Sequence, residues 1–185
     1  PAVLPEELKD KLHMTASYID TKVKAVDAFL NLFSHHSYNI VRFFSMPVAN
    51  DLSKILDKHK FDIIQLETLY CTPYIETIRK YSKAKIVLRS HNVEHIIWQR
   101  LAVSEKNMIK KSYLNLLAER LKNYELKTLL QVDGIVSITP VDEKIFIELG
   151  FKGPIKSIPL GIDLSEYSNT GSAKTKMVLY HLGSM

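Results

Sequence analysis

Residues Lys85–Arg100 read KIVLRSHNVEHIIWQR. The apolar opening, Ile86-Val87-Leu88, has the character of a buried strand. Just past Arg89 the stretch becomes polar and ionisable, with His91, Asn92, Glu94 and His95, and Trp98 follows. A strand that feeds directly into a helix delivers its last residues to the carboxyl edge of a sheet. In open α/β folds that edge is where ligands bind. His91 and its neighbours are therefore the first candidates for a site.

Working outward, strand and helix signals alternate. Upstream, FDIIQLE (61–67) reads as a strand, and Thr72-Pro73 as the N-cap and first residue of a helix through Tyr81. Before these, apolar residues at Val23, Val26, Leu30 and Phe33 keep helical spacing, and Pro47 opens a helix running to about His59. His13–Asp20 is strand-like, and Pro5–Leu12 is a short charged helix or turn. Downstream, no glycine or proline interrupts Glu94–Gln131, which reads as one long helix or two with a break near Ser104–Asn107. Then come a strand over 133–138, a helix opened by Thr139-Pro140-Val141-Asp142 and closed by Gly150, and a strand over 155–158. This alternation predicts an α/β fold: a Rossmann-like parallel sheet with helices on both faces and strands that read as continuous apolar runs. SNTGSAKT (168–175) has linker composition, and MVLYHL (177–182) is a further strand. The expected organisation is a domain over 1–167, a linker over 168–176 and a new strand over 177–185.

The composition is that of an ordinary globular chain of 185 residues, 46% hydrophobic and 24% charged. One cysteine, Cys71, excludes an internal disulfide and reads as a packed side chain. A net charge of +5 favours anionic partners without choosing among them. The helix after residue 104 carries Lys106, Lys110, Lys111, Arg120, Lys122 and Lys127 against Glu105, Glu119 and Glu125 on its outer face. That face is either simply solvated or meets an anionic lipid surface. All six glycines lie at or after Gly134, and neither G-x-G-x-x-G nor a P-loop occurs, which argues against a complete dinucleotide site or a P-loop enzyme.

His91-Asn92-Val93-Glu94-His95 fits H-x-x-E-H, the inverted zinc-peptidase pattern. Zinc needs both histidines on one helical face. With Asn92 expected as N-cap, His91 falls before the helix and His95 inside it, so no metal is expected. His35 and His36 read as loop histidines. At a strand's carboxyl edge, His91 is either a hydrogen-bonding or acid–base group or a structural cap. Glu94 suits the first turn of a helix. Trp98 is either a core or rim aromatic or a stacking platform. Ser137 and Thr139 lie near His91 if their strands are neighbours. Gly161 allows a tight turn, and Asp163 either caps it or holds a ligand hydroxyl.

The series LRSHNVEHIIW, KKSYLNLLAERLKNYE, VDGIVSIT, IPLGIDLSEY and YHLGSM resembles the group 1 bacterial glycosyltransferases, which are retaining and have the GT-B fold. The resemblance implies one incomplete GT-B half, the acceptor side. It lacks its first strand–helix unit, and its donor-binding partner domain follows Met185. The implied activity is sugar transfer from a nucleotide-sugar to a glycan or lipid-linked acceptor in cell-surface polysaccharide synthesis. No cofactor or metal is implied, and this stretch alone is expected to be inactive. His91 is then the catalytic-cleft residue, with Asn92, Glu94, His95 and Trp98 toward the acceptor and Gly161, Asp163 and Gly183 toward the nucleotide-sugar. The implied setting is cytoplasmic, with peripheral contact at an anionic membrane and no nucleic acid partner. Self-association through an open sheet edge is also expected. Two other readings stay open: a sugar-nucleotide 2-epimerase of the same architecture, and a non-enzymatic flavodoxin-like binding module.

Overall fold

The structure, a computed structural model, describes residues 15–161. The expectations for Pro5–Leu12, the linker, the strand over 177–182, Asp163 and Gly183 fall outside these residues.

Among the described residues three helices come first: α1 (Ala25–Asn31), α2 (Tyr38–Val41) and α3 (Met46–Lys58). Pro47 sits in the first turn of α3, as expected. Strand β1 (Ile63–Glu67) leads through a 3-10 helix (Leu69–Tyr74) to α4 (Ile75–Tyr81). β2 (Lys85–Ser90) is followed by α5 (Glu94–Ser104) and α6 (Met108–Leu129). β3 (Gly134–Ser137), α7 (Pro140–Glu148) and β4 (Ile155–Ser157) complete the described fold. The four strands pair in parallel in the order β1-β2-β3-β4.

Local chemistry accounts for most boundaries. Thr139 caps α7 by accepting from the Asp142 backbone N–H, with Pro140 at the first position. Gly150 closes that helix at φ +98°, a conformation that favours glycine. The long helical region breaks at Glu105–Asn107 without glycine or proline. Asn107 adopts an extended backbone and its side chain accepts from Lys110 N–H, restarting the helix. Glu105 holds the corner by accepting from Asn107 N–H and from Lys110 Nζ.

Three local expectations are corrected. Thr72 is not an N-cap: it lies inside the 3-10 helix, where its hydroxyl donates to the Leu69 carbonyl and meets Tyr124. Residues 15–20 form no strand; no strand lies alongside them among the described residues, and Ser17 bonds to Asp51 instead. Val93, not Asn92, is the N-cap residue of α5, and it has no side-chain bond to give.

The strand register sorts the sheet residues into two faces. Leu66, Leu88, Ile135 and Ile155 stand in one row across the sheet, with Ile64 beside Ile86. Leu66, Ile86, Leu88 and Ile135 are buried and pack with Ile78, Leu121 and Phe146 in the core. Each such side chain contributes about 1.5–3 kcal/mol on burial. The opposite row, Glu67, Arg89, Val136 and Lys156, is exposed or half-buried. The strands are therefore not apolar on both sides. Among the described residues each crossover advances one strand in the same direction. The four parallel strands and the helices between them form the α/β, Rossmann-like sheet that the alternation predicts.

Candidate functional site

The site grows from the carboxyl ends of the four strands. There Ser90, Ser137 and Ser157 stand in register across the sheet. The Ser90 hydroxyl donates to the Asn92 carbonyl and that of Ser137 to the Thr139 carbonyl, so each serine folds its own loop back over the strand end. The loop after β2 carries His91 and Asn92, and the helix begins only at Glu94. β2 and β3 are neighbours, so Ser137 and Thr139 lie on the adjacent strand end, as the sequence reading required.

His91 is partly exposed, and its Nε2 lies 3.1 Å from Oε2 of Glu67 at the end of β1. Nε2–H donates to that carboxylate, which sets the tautomer. Nδ1, with no bond among the described residues, is then the accepting nitrogen. Glu67 also accepts from Gln65 at 2.5 Å, and Arg89, its partner in the register, stands 3.9 Å away. Burial alone would raise the Glu67 carboxyl. The hydrogen bonds from Gln65 and His91 and the Arg89 charge outweigh it and hold the group below its usual range. The next residue, Thr68, has φ +76°, the one positive value at a non-glycine among the described residues. Its N–H donates to the Arg89 carbonyl at 2.9 Å. Such strain costs on the order of 1–3 kcal/mol and collects at functional sites. Here it ends β1 where Glu67 turns toward His91.

Glu94 and His95 point the other way. Glu94 is buried and accepts from the Tyr70 hydroxyl at 2.8 Å. Burial pushes its carboxyl upward, outweighing the Tyr70 bond, and the nearby Glu125 charge adds to the rise. Burial raises the Tyr70 hydroxyl too, and so does the bond to Glu94. His95 is buried, and its Nδ1–H donates to Glu125 on α6 at 2.5 Å. The same carboxylate accepts the backbone N–H groups of Glu94 at 3.2 Å and His95 at 3.4 Å. Glu125 thus supplies, from another helix, the cap that Val93 cannot provide. It anchors the turn that presents His91.

The cluster therefore divides. His91 and Asn92 open to solvent, while Glu94 and His95 sit beneath them as supports. Trp98 is half-buried and packs against the core. His91 precedes α5 and engages Glu67, and His95 lies inside α5 and engages Glu125, so the two rings do not share one helical face as an H-x-x-E-H zinc site requires. Gly161 is exposed beyond β4; it lacks a positive φ, and among the described residues an added Cβ would meet nothing within 4 Å, so its local backbone does not itself demand glycine.

Two residues that matter here escaped sequence reasoning. Glu125 sits amid a run of charges and reads as part of the outer face, yet it is 1% exposed. Arg120 also leaves that face: its guanidinium donates to the carbonyls of Asn31 and Leu32. Glu67 was legible only as the polar end of an apolar strand, a weak signal that the register with Arg89 converts into a site.

A family model described as Glycosyltransferase Family 4 matches residues 23–166. No curated protein and no solved structure matches the chain.

Proposed function

The chain belongs to glycosyltransferase family 4, and on that premise we propose that it forms the acceptor-side half of a retaining bacterial enzyme of the GT-B type. In this reading the enzyme transfers a sugar from a nucleotide-sugar to a glycan or lipid-linked acceptor in cell-surface polysaccharide synthesis, at the cytoplasmic side. A second half supplies the donor site, and no metal takes part. Gly161, Asp163 and Gly183 border the donor, and Asn92 and Trp98 border the acceptor. The edge of β1 that no described strand covers is the place where copies would associate.

One observation carries the reading. The Glu67–His91 pair stands at the carboxyl edge of a parallel sheet, partly open to solvent and braced from below by Glu125. A carboxylate that fixes Nε2–H leaves the lone pair on Nδ1, which has no hydrogen bond among the described residues. That nitrogen accepts a hydrogen bond from a sugar hydroxyl, or its proton as the hydroxyl becomes nucleophilic. Glu67 then stabilises the imidazolium that forms. Exclusion of water and orientation of the two sugars fall to the loops around the serine row.

The test is sugar transfer by the protein that carries this chain, assayed with labelled nucleotide-sugars and lipid-linked acceptors. Transfer that collapses in His91→Ala supports the proposal. Unchanged transfer in that variant would sink the role of His91. Release of an epimerised sugar nucleotide without any acceptor would identify the epimerase instead.

A further inference from the structure

Arg89 is the penultimate residue of β2, two positions before His91. By strand alternation its side chain leaves the sheet on the face opposite Leu88, in the row Glu67, Arg89, Val136 and Lys156. That side chain is 26% exposed, and its Nε is buried without a hydrogen-bond partner. Its one ion pair among the described residues is with Glu67, whose Oε1 lies 3.9 Å from Nη1, beyond hydrogen-bonding reach. Both Glu67 oxygens are already engaged, Oε1 by Gln65 and Oε2 by His91.

Other arginines of the chain are spent on the fold. Arg79 and Arg120 each donate to three acceptors. A guanidinium holds five N–H donors in a fixed fork that matches a carboxylate or a phosphate. Partly buried donors left unfilled cost free energy, so an arginine in this state calls for a partner.

The surroundings favour an anion. Lys156 on β4 shares the row, is exposed and makes no ion pair among the described residues. Its backbone lies two strand spacings from that of Arg89, about 10 Å, with half-buried Val136 between them. The row thus sets two cations against one carboxylate. The Arg89 guanidinium and the His91 imidazole flank that carboxylate, one at each oxygen.

We propose that Arg89, with Lys156 beyond it, binds an oxyanion carried by the acceptor sugar, a carboxylate or a phosphate ester, beside the hydroxyl that His91 receives. Resting on the sugar-transfer reading of His91, this narrows the acceptor from glycans in general to an acidic or phosphorylated sugar. A neutral sugar would leave the guanidinium unfilled.

An NMR titration of the 185-residue chain with glucuronic acid, glucose 1-phosphate and glucose tests this, following the Nε–H signal of Arg89 and the ring signals of His91. At least one anionic probe should shift both residues, and glucose should leave Arg89 unmoved. A response to glucuronic acid alone marks a carboxylate site, and one to glucose 1-phosphate alone a phosphate site; either supports the proposal. Arg89→Gln should weaken anion binding by about tenfold or more, and Lys156→Gln by about two- to fivefold. Added salt should weaken it in the parent. Circular dichroism melts separate lost binding from lost folding, and the parent's own Arg89 signal decides the matter if the variant does not fold. Silence of Arg89 toward both anions overturns the proposal, as does equal anion affinity in Arg89→Gln and the parent, or an equal response of Arg89 to glucose. A shift at Arg89 that leaves His91 unmoved also overturns it, because the oxyanion is then not beside the imidazole. The titration contains no nucleotide-sugar, so its failure leaves sugar transfer standing. Failure of transfer with Arg89 still responding leaves the oxyanion site and removes only its assignment to an acceptor.

Discussion

Nδ1 of His95 lies 2.5 Å from a carboxylate oxygen of Glu125, a residue 30 positions further along the chain and on another helix. Both side chains are almost wholly enclosed. Glu125 also accepts the backbone N–H groups of Glu94 and His95. One carboxylate therefore satisfies a buried imidazole, caps a helix and pins the loop that carries His91. Removing it leaves a buried imidazole and two backbone donors without partners. Glu125→Ala is expected to cost roughly 3–5 kcal/mol, read as a lowered denaturation midpoint at unchanged slope. Glu125→Gln should cost less, because the amide oxygen still accepts. A near-silent Glu125→Ala would show that the pair contributes nothing to the fold.

Removing the imidazole of His91 should reduce sugar transfer by the complete protein by roughly a hundredfold or more, since acid–base groups contribute on that scale. Glu67→Gln should reduce it less and leave the melting temperature within about 1 kcal/mol of stability, because Glu67 is half-exposed. If both act on one step, the double variant should be no worse than His91→Ala. Additive losses in kcat would separate the two residues.

The pH dependence of stability follows from Glu94. Burial raises its carboxyl above the ordinary glutamate value. The folded protein therefore holds this proton more tightly than the unfolded chain. Its stabilising contribution is full below the ordinary value and is lost as pH climbs through the raised one. Glu94→Gln keeps an acceptor for Tyr70 and should flatten that loss, which thermal melts across mildly acid to neutral pH would reveal. A variant whose melts track the parent at every pH would contradict it.

At the opposite end of β2, Asp133 accepts from Ile86 N–H at 2.8 Å, from Arg79 at 2.7 Å and from Lys85 at 3.3 Å. The backbone bond and the Arg79 guanidinium hold its carboxyl at about 2. The sign here is reversed: the contribution is present above the ordinary aspartate value and is lost as pH falls toward about 2. Asp133→Asn should cost about 1–2 kcal/mol at neutral pH and remove that part of the acid transition. Acid titration followed by circular dichroism measures both.

Much of the fold was legible before the structure. Thr139-Pro140, Gly150 and Pro47 mark helix ends because capping and fixed φ act within a few residues. The break at Ser104–Asn107 was legible as one of two alternatives, since Asn107 is a good cap and propensity alone did not decide. The strands were legible from their apolar runs, but not which of their residues face outward. Thr72-Pro73 misled because the hydroxyl found the Leu69 carbonyl and Tyr124, a tertiary partner, instead of capping a helix.

The candidate site was half legible. The chain by itself determined a parallel α/β sheet and a polar loop at the end of its second strand, because alternation, caps and strand-to-helix transitions are short-range properties. Only the tertiary structure decided which members of SHNVEH face solvent and which support them. Glu67 meets His91 across 24 residues through the β1–β2 register, and Glu125 meets His95 across 30 through the packing of α6 on α5. A charged residue on a helix can be solvated or buried with the same local sequence. Which outcome occurs depends on whether the opposing element brings donors to its carboxylate, and α5 brings three.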